Sequence, residues 1–343
     1  MVVDDERAMR RAIELGASVR ATAHPNPWVG CVVESVDGHT FEGATLPPGQ
    51  AHAEAVALER AGDAARGATL WVTLEPCSHT GRTAPCADAL VAAGVRRVVV
   101  AIDDPDPRVH GRGVARLRAA GIEVTFGVCA REARAQLAPY IKHRTTGRPW
   151  VVLKLAATLD GRTAAPDGTS QWITGEAARA DAHRLRAESD AVLVGAGTVK
   201  ADDPALTVRP APAAGAGRSD VRDPLRVVLG SAPAGARCQP CVELSGGLDG
   251  VLDELGQRDV VQLLVEGGAT VAGAFHRAGL VDRYVLYLAP ALSGGDDSRP
   301  LFAGSGAATI AEVWRGRIES VEQLGGDLRV ELAPVTGESC SPG

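Results

Sequence analysis

The sequence predicts an α/β protein built as two domains, and three observations carry that reading. Continuous apolar runs of strand type alternate with short helical stretches that end at glycine, the pattern of a sheet covered by helices on both faces. The chain has 343 residues, more than one domain usually holds. The alternation breaks once, at "KHRTTGRPW", where Gly147 and Pro149 interrupt it, and then resumes. The predicted domains are residues 1–145 and 146–337, with 338–343 as a tail. No internal repeat is visible.

Residues 6–19 open the first domain with helical spacing, Ala8, Ala12, Leu15 and Val19 sharing one face. "WVGCVVES" and "HTFEG" read as a strand pair joined at Asp37-Gly38, a tight-turn signal. Then come a helix in "AEAVALERAG", a strand in "ATLWVTL", a helix in "CADALVAAG" and a strand in "RVVVAI". "GVARLRAAG" is a helix, "IEVTF" a strand and 131–143 a closing helix. In the second domain the strands are 150–156, 190–194, 225–229, 260–265 and 282–290, with helices at 176–187, 248–256 and 270–278. Residues 209–224, rich in Pro, Ala and Gly, read as a mobile loop within it.

Composition narrows the function. A formal net charge of −6 argues against a nucleic-acid surface, and no apolar run approaches the ~20 residues of a membrane span. "MVVDDERAMRR", which lacks an apolar stretch, is unlike a secretory signal, so the expectation is a soluble, cytoplasmic protein. Seven cysteines, an odd number, do not suggest a disulfide framework in a reducing compartment. Lysine occurs only at Lys142, Lys154 and Lys200 among 36 basic residues, so each one draws notice.

The chemistry begins at "LEPCSHTGRTAPC". Its two cysteines could form a disulfide, pack in a core or bind metal. Cys77 follows a strand and Cys86 begins a helix, whose N-terminus can lower a thiol pKa. Upstream, "AHAEAVAL" places His52 at a helix start and Glu54 two residues on. One His and two Cys give Zn²⁺ three ligands and leave a fourth position open, as catalytic zinc sites do. His-x-Glu followed by Pro-Cys…Cys is the order found in zinc deaminases, where the metal activates water and the Glu carries protons. Here eight residues separate the cysteines instead of two, and the longer loop carries His79 and Arg82.

"HPNPWVG", "HAE", "TLEPCSHTGRTAPC", "DDPDPRVHGRG", "KLAATLDGRTA" and "ADDPALTVR" occur in this order over nearly the whole chain. Together they closely resemble the bifunctional riboflavin-biosynthesis deaminase/reductase family. The resemblance implies a cytidine-deaminase-like α/β/α sandwich, with His52, Cys77 and Cys86 on zinc and Glu54 as the catalytic proton shuttle. The implied substrate is a diaminopyrimidinone carrying a ribosylamino 5′-phosphate. Asn26, fixed between two prolines, would meet the pyrimidine edge, His79 the base and Arg82 the phosphate, with Asp104 and Asp106 also at the substrate. Asp106 stands where the family usually has Asn, and "ATL" at 44–46 where many relatives have an aromatic-His pair.

The second domain lacks a G-x-G-x-x-G after its first strand and has two weaker glycine cradles, "VGAGTV" and "VEGGATVAG". The resemblance implies a dihydrofolate-reductase-like α/β fold that uses NADPH to reduce the ribosyl group to ribityl. Lys154, the expected catalytic cation, would face the sugar phosphate with Ser170, Arg186, Leu206, Arg209 and Glu266. Ala156, Trp172, Thr198, Asp202, Ser231 and the turn from Gly268 would face NADPH. The family suggests a homodimer or larger assembly. Residues 230–250 are short against the family pattern, which leaves a deaminase with a silent second domain as the alternative. Cys238 and Cys241 read as an incidental exposed pair, and Cys31 and Cys129 as core residues.

Overall fold

A computed structural model describes residues 4–78, 85–107, 109–209 and 222–335. The chain divides between Arg148 and Pro149 into two compact units. The first contains α1 (Asp5–Ser18), α2 (Arg20–Ala23), β1 (Gly30–Glu34), β2 (Thr40–Ala44), α3 (Ala53–Ala61) and β3 (Thr69–Leu74). It continues with α4 (Cys86–Ala93), β4 (Arg97–Ile102), α5 (Arg112–Ala119), β5 (Glu123–Phe126), α6 (Ala130–Gln136) and α7 (Ala138–Thr146). The sheet order is β2-β1-β3-β4-β5, with β1 antiparallel to both neighbours and β3, β4 and β5 parallel.

Helices cover both faces of this sheet. α1 and α6 touch each other and the sheet, while α3, α4 and α5 form a second contacting set. β3 and β4 are buried almost throughout, as parallel strands between two helical layers must be, so they read as unbroken apolar runs. The hairpin turns at Gly38 (φ 82°), a backbone region glycine enters without strain. α1 buries Ala8, Met9, Ala12 and Gly16, while Leu15 and Val19, expected on the same face, stay partly exposed. The helix expected at 131–143 is two helices. Pro139 in the first turn of α7 cannot donate to the helix before it, and the chain breaks at Leu137.

The second unit contains β6 (Trp150–Thr158), β7 (Arg162–Ala164), α8 (Glu176–Ala187), β8 (Ala191–Gly195), α9 (Ala196–Asp202), β9 (Leu225–Leu229) and β10 (Val242–Leu244). After these come α10 (Leu248–Gln257), β11 (Gln262–Val265), α11 (Ala269–Arg277), β12 (Arg283–Ala289), β13 (Arg299–Pro300), β14 (Gly316–Leu324) and β15 (Asp327–Pro334). Eight strands form one sheet in the order β10-β9-β8-β11-β6-β12-β15-β14. Six are parallel, and β15 and β14 close the edge antiparallel. Alternate residues feed two cores. Val151, Leu153, Leu193 and Leu263 pack with α10 and α11, and Val152, Val192, Val194 and Leu264 pack with α8 and α9. Among the described residues no helix is long and apolar enough to cross a membrane.

Candidate active sites

In the first unit the parallel strands deliver their carboxyl ends to one side, the usual place for a ligand in an open α/β sheet. β3 runs into Glu75 and Cys77, and β4 into Asp104. His52 is the N-cap of α3 and Cys86 the first residue of α4, so two helix starts face the end of one strand. His52 Nδ1 lies 3.7 Å from Cys77 Sγ and 3.4 Å from Cys86 Sγ. Bond lengths to zinc of about 2.3 Å for sulfur and about 2.0 Å for nitrogen make the N···S edge of a tetrahedron about 3.6 Å. The three donors lie within 4.8 Å of one another and fit a zinc ion with one position left over.

The thiols support that fit. A hydrogen bond from the Cys86 thiol holds Cys77 down to about 4, against the effect of burial, and His52 and the Cys86 amide add to it. The Cys86 amide donates to Cys77 Sγ at 3.3 Å, a contact the first turn of α4 provides. The same pairing holds the Cys86 thiol well above its ordinary value. Two adjacent sulfurs cannot both carry charge unless a cation lies between them, and zinc supplies that cation.

Glu54 is 4% exposed, and its carboxyl is pushed up to about 7, first by burial and then by the negative Cys77. Beside it opens a cavity of about 330 Å³ whose wall includes Asn26, His52, Glu54, Asp104, Asp106 and Arg144. The expected residues Asn26, Asp104 and Asp106 therefore share one space with His52 and Cys77 of the metal triad. His79 and Arg82 lie outside the described residues. Asp104 accepts from Tyr140 Oη at 3.2 Å and from the Asp106 amide at 2.9 Å. Tyr140 and Glu75 were not expected here. Glu75 accepts from the amides of Gly111 at 2.9 Å and Val114 at 3.2 Å, and so caps the start of α5 from another strand. Such a bond joins residues far apart in sequence, and no local pattern announces it.

In the second unit the strand register assembles the site. Val265 of β11 pairs with Leu153 of β6, which brings Glu266 beside Lys154 at the carboxyl ends of two parallel strands. Arg186 of α8 grips Glu266 with two bonds, Nε at 2.6 Å and Nη2 at 2.8 Å, and Lys154 Nζ stands 4.0 Å from the same carboxylate. Burial pushes Glu266 up, but the bonds and charge of Arg186 outweigh it and hold the carboxylate below its usual range. Burial lowers Lys154. Two cations against one carboxylate leave excess positive charge, which suits an anionic substrate. His183, not anticipated, accepts the Arg209 amide at Nδ1 (3.3 Å), so its Nε2 carries the hydrogen when the ring is neutral.

Other expected residues divide. Thr198 Oγ1 accepts from the Gly268 amide at 3.2 Å, so two residues expected at NADPH are in contact. Gly268 is the N-cap of α11 and no side chain caps it. With no side chain of its own at the N-cap, the start of α11 presents first-turn amides of the kind that suit a phosphate of NADPH. Ala156 lies two residues beyond Lys154 on the same face of β6, partly buried, and Ser170 is likewise partly buried. Asp202 ends α9, and both it and Ser231 are exposed. Trp172 is exposed and stacks under Arg179, 4.7 Å away. Leu206 turns its side chain into the core near Val199, so only its backbone is left to meet substrate.

Two expectations about thiols are corrected. Cys238 is fully buried and packs in the core with Val228 and Ala236, with Cys241 partly buried against it, so the pair is not exposed. Cys31 is a core residue, but Cys129 sits half-buried at the N-cap of α6 with φ 52° and belongs to no strand.

Residues 2–102 match the family model described as the cytidine and deoxycytidylate deaminase zinc-binding region, and residues 149–330 match the RibD C-terminal domain. The second match runs through the short 230–250 stretch and does not favour a lost reductase. The riboflavin biosynthesis protein RibD of Escherichia coli is 41% identical over 96% of this chain and 99% of its own. That of Mycobacterium tuberculosis is 44% identical over 95% and 96%. The solved structure of Acinetobacter baumannii RibD superposes with a TM-score of 0.91 at 41% identity, covering 97% of this chain and 99% of that one. A Thermotoga maritima diaminohydroxyphosphoribosylaminopyrimidine deaminase/5-amino-6-(5-phosphoribosylamino)uracil reductase superposes at 0.84 with 34% identity, covering 96% and 98%. The chain belongs to the RibD family of bifunctional riboflavin-biosynthesis deaminase/reductases.

Proposed function

We propose that the first unit hydrolytically removes the 2-amino group of 2,5-diamino-6-(5-phosphoribosylamino)pyrimidin-4-one as ammonia, and that the second reduces the ribosyl group of the product to ribityl. The observation that carries this is the buried Glu54 beside three zinc donors of tetrahedral spacing. Zinc, held by His52, Cys77 and Cys86, would activate a water for attack on the ring carbon bearing the amine. Glu54 would serve as the proton carrier, its carboxylate accepting a proton from the attacking water and passing it to the departing nitrogen. Burial raises the Glu54 carboxyl above the ordinary carboxylate range, which suits a group that must both take up and release a proton. Asn26, fixed by the prolines on either side, presents an amide able to donate and accept along the pyrimidine edge. Asp104 and Asp106 complete the wall, with His79 and Arg82 proposed at the base and phosphate.

In the second unit NADPH, when bound by the residues named below, would supply a hydride for C1′ of the opened sugar. Lys154 stabilises the charge that develops there, while Arg186, fixed by Glu266, and Arg209 hold the phosphate. Ser170 and the backbone of Leu206 complete that side. Ala156, Trp172, Thr198, Asp202, Ser231 and Gly268 are proposed to hold the dinucleotide. The unpaired thiols support a cytoplasmic enzyme, and we propose a homodimer or larger assembly.

Glu54→Gln keeps the shape and removes the proton carrier. Ammonia release should fall by at least roughly 10²–10⁴-fold while metal analysis still finds zinc bound. Turnover at the parental rate with zinc retained would remove Glu54 from its role.

A further inference from the structure

The cavity of the first unit must accept a phosphate, yet its described wall is acidic. Glu54, Glu75, Asp104 and Asp106 all line it. Apart from His52, which the metal site uses, Arg144 is the only basic residue on that described wall. We infer that Arg144 is a positioning residue that binds the phosphate of the deaminase substrate; this rests on the deaminase reading of the first unit.

Three features of Arg144 carry the inference. It lies on α7 one turn after Tyr140, and its guanidinium stands over that ring, 5.3 Å from its centre. Its Nε is buried and finds no hydrogen-bond acceptor, a donor left unsatisfied where buried donors are usually satisfied. The neighbouring carboxylates are otherwise engaged: Asp104 accepts from Tyr140 and from the Asp106 amide, and Glu75 accepts amides of the α5 start. A planar fork with a free donor, in a space of about 330 Å³ rich in negative charge, is suited to a phosphate oxygen and offsets the repulsion that Asp106 would exert on it. A lone surface arginine needs none of this arrangement.

The test compares the phosphorylated substrate with its phosphatase-treated counterpart on the zinc-loaded, full-length protein. Arg144→Gln should raise KM for the phosphorylated substrate by roughly 10- to 100-fold, with kcat changed by less than about threefold. The penalty should be absent from the dephosphorylated substrate, and Arg144→Lys should recover part of the loss. Unchanged zinc content and unchanged reductase turnover would show that each variant is folded. An unaltered KM, or an equal loss on both substrates, would overturn the inference while leaving the deaminase reading in place. A wild-type protein that releases no ammonia from either substrate would overturn the deaminase reading and this inference with it.

Discussion

At position 104 a carboxylate is kept where little water reaches it. Burial pushes Asp104 up to about 6 from an ordinary 3.8, and the negative Asp106 and Glu75 add to the rise against the hydrogen bonds it accepts. A carboxyl whose folded pKa exceeds its unfolded value is favourable to bury only while protonated. Its cost is absent below about pH 4, grows between about 4 and 6, and is complete above 6. Asp104→Asn should therefore stabilise the protein by about 1–3 kcal/mol at pH 8 and by almost nothing at pH 4, measured by urea unfolding across that range. Equal stability of variant and parent at pH 8 would contradict this account of the wall. Residues at this scale differ in how far the sequence reveals them. The metal triad is legible because its order, His-x-Glu and then two Pro-Cys, repeats a known chemistry. Tyr140, Arg144 and His183 enter the sites only through packing between distant elements, and Leu206 shows that a correctly located residue can still turn its side chain inward.

Elements carry the sites by being pressed together. Gly113, in the first turn of α5, has no room for a side chain: a Cβ would fall 1.9 Å from the Pro76 carbonyl oxygen, next to the ligand Cys77. Gly113→Ala should push α5 and the Cys77 segment apart. The expected outcome is a weaker hold on zinc, about tenfold or more in competition with a chelator, with reductase turnover retained. Full zinc affinity in Gly113→Ala would show that the close approach is dispensable. Elements with a strong internal signal are legible in sequence, such as α8 at 176–187 and β9 at 225–229, whose limits agree with the structure. β14 and β15 are not. Most of β14 is exposed, so it lacks the apolar run or clean alternation that marks a strand, and its pairing with β15 defines it. β10, three residues long, and the glycine-containing α9 are too short to show a period.

Each unit of the molecule builds its site at the carboxyl ends of its parallel strands, and the two sites differ in charge as their tasks require. The first surrounds a metal triad and a proton carrier with acids, and the second sets Lys154 and Arg186 against Glu266. This division makes the chain two catalysts, and the reductase half rests on the less explicit motifs. The most direct measurement is NADPH oxidation by the zinc-replete protein supplied with 5-amino-6-(5-phosphoribosylamino)uracil, which bypasses the deaminase, with Lys154→Ala in parallel. The account predicts steady oxidation with a ribitylamino product, and its loss in Lys154→Ala while ammonia release from the diamino substrate continues. No oxidation by the parental protein, alongside intact ammonia release, would contradict it.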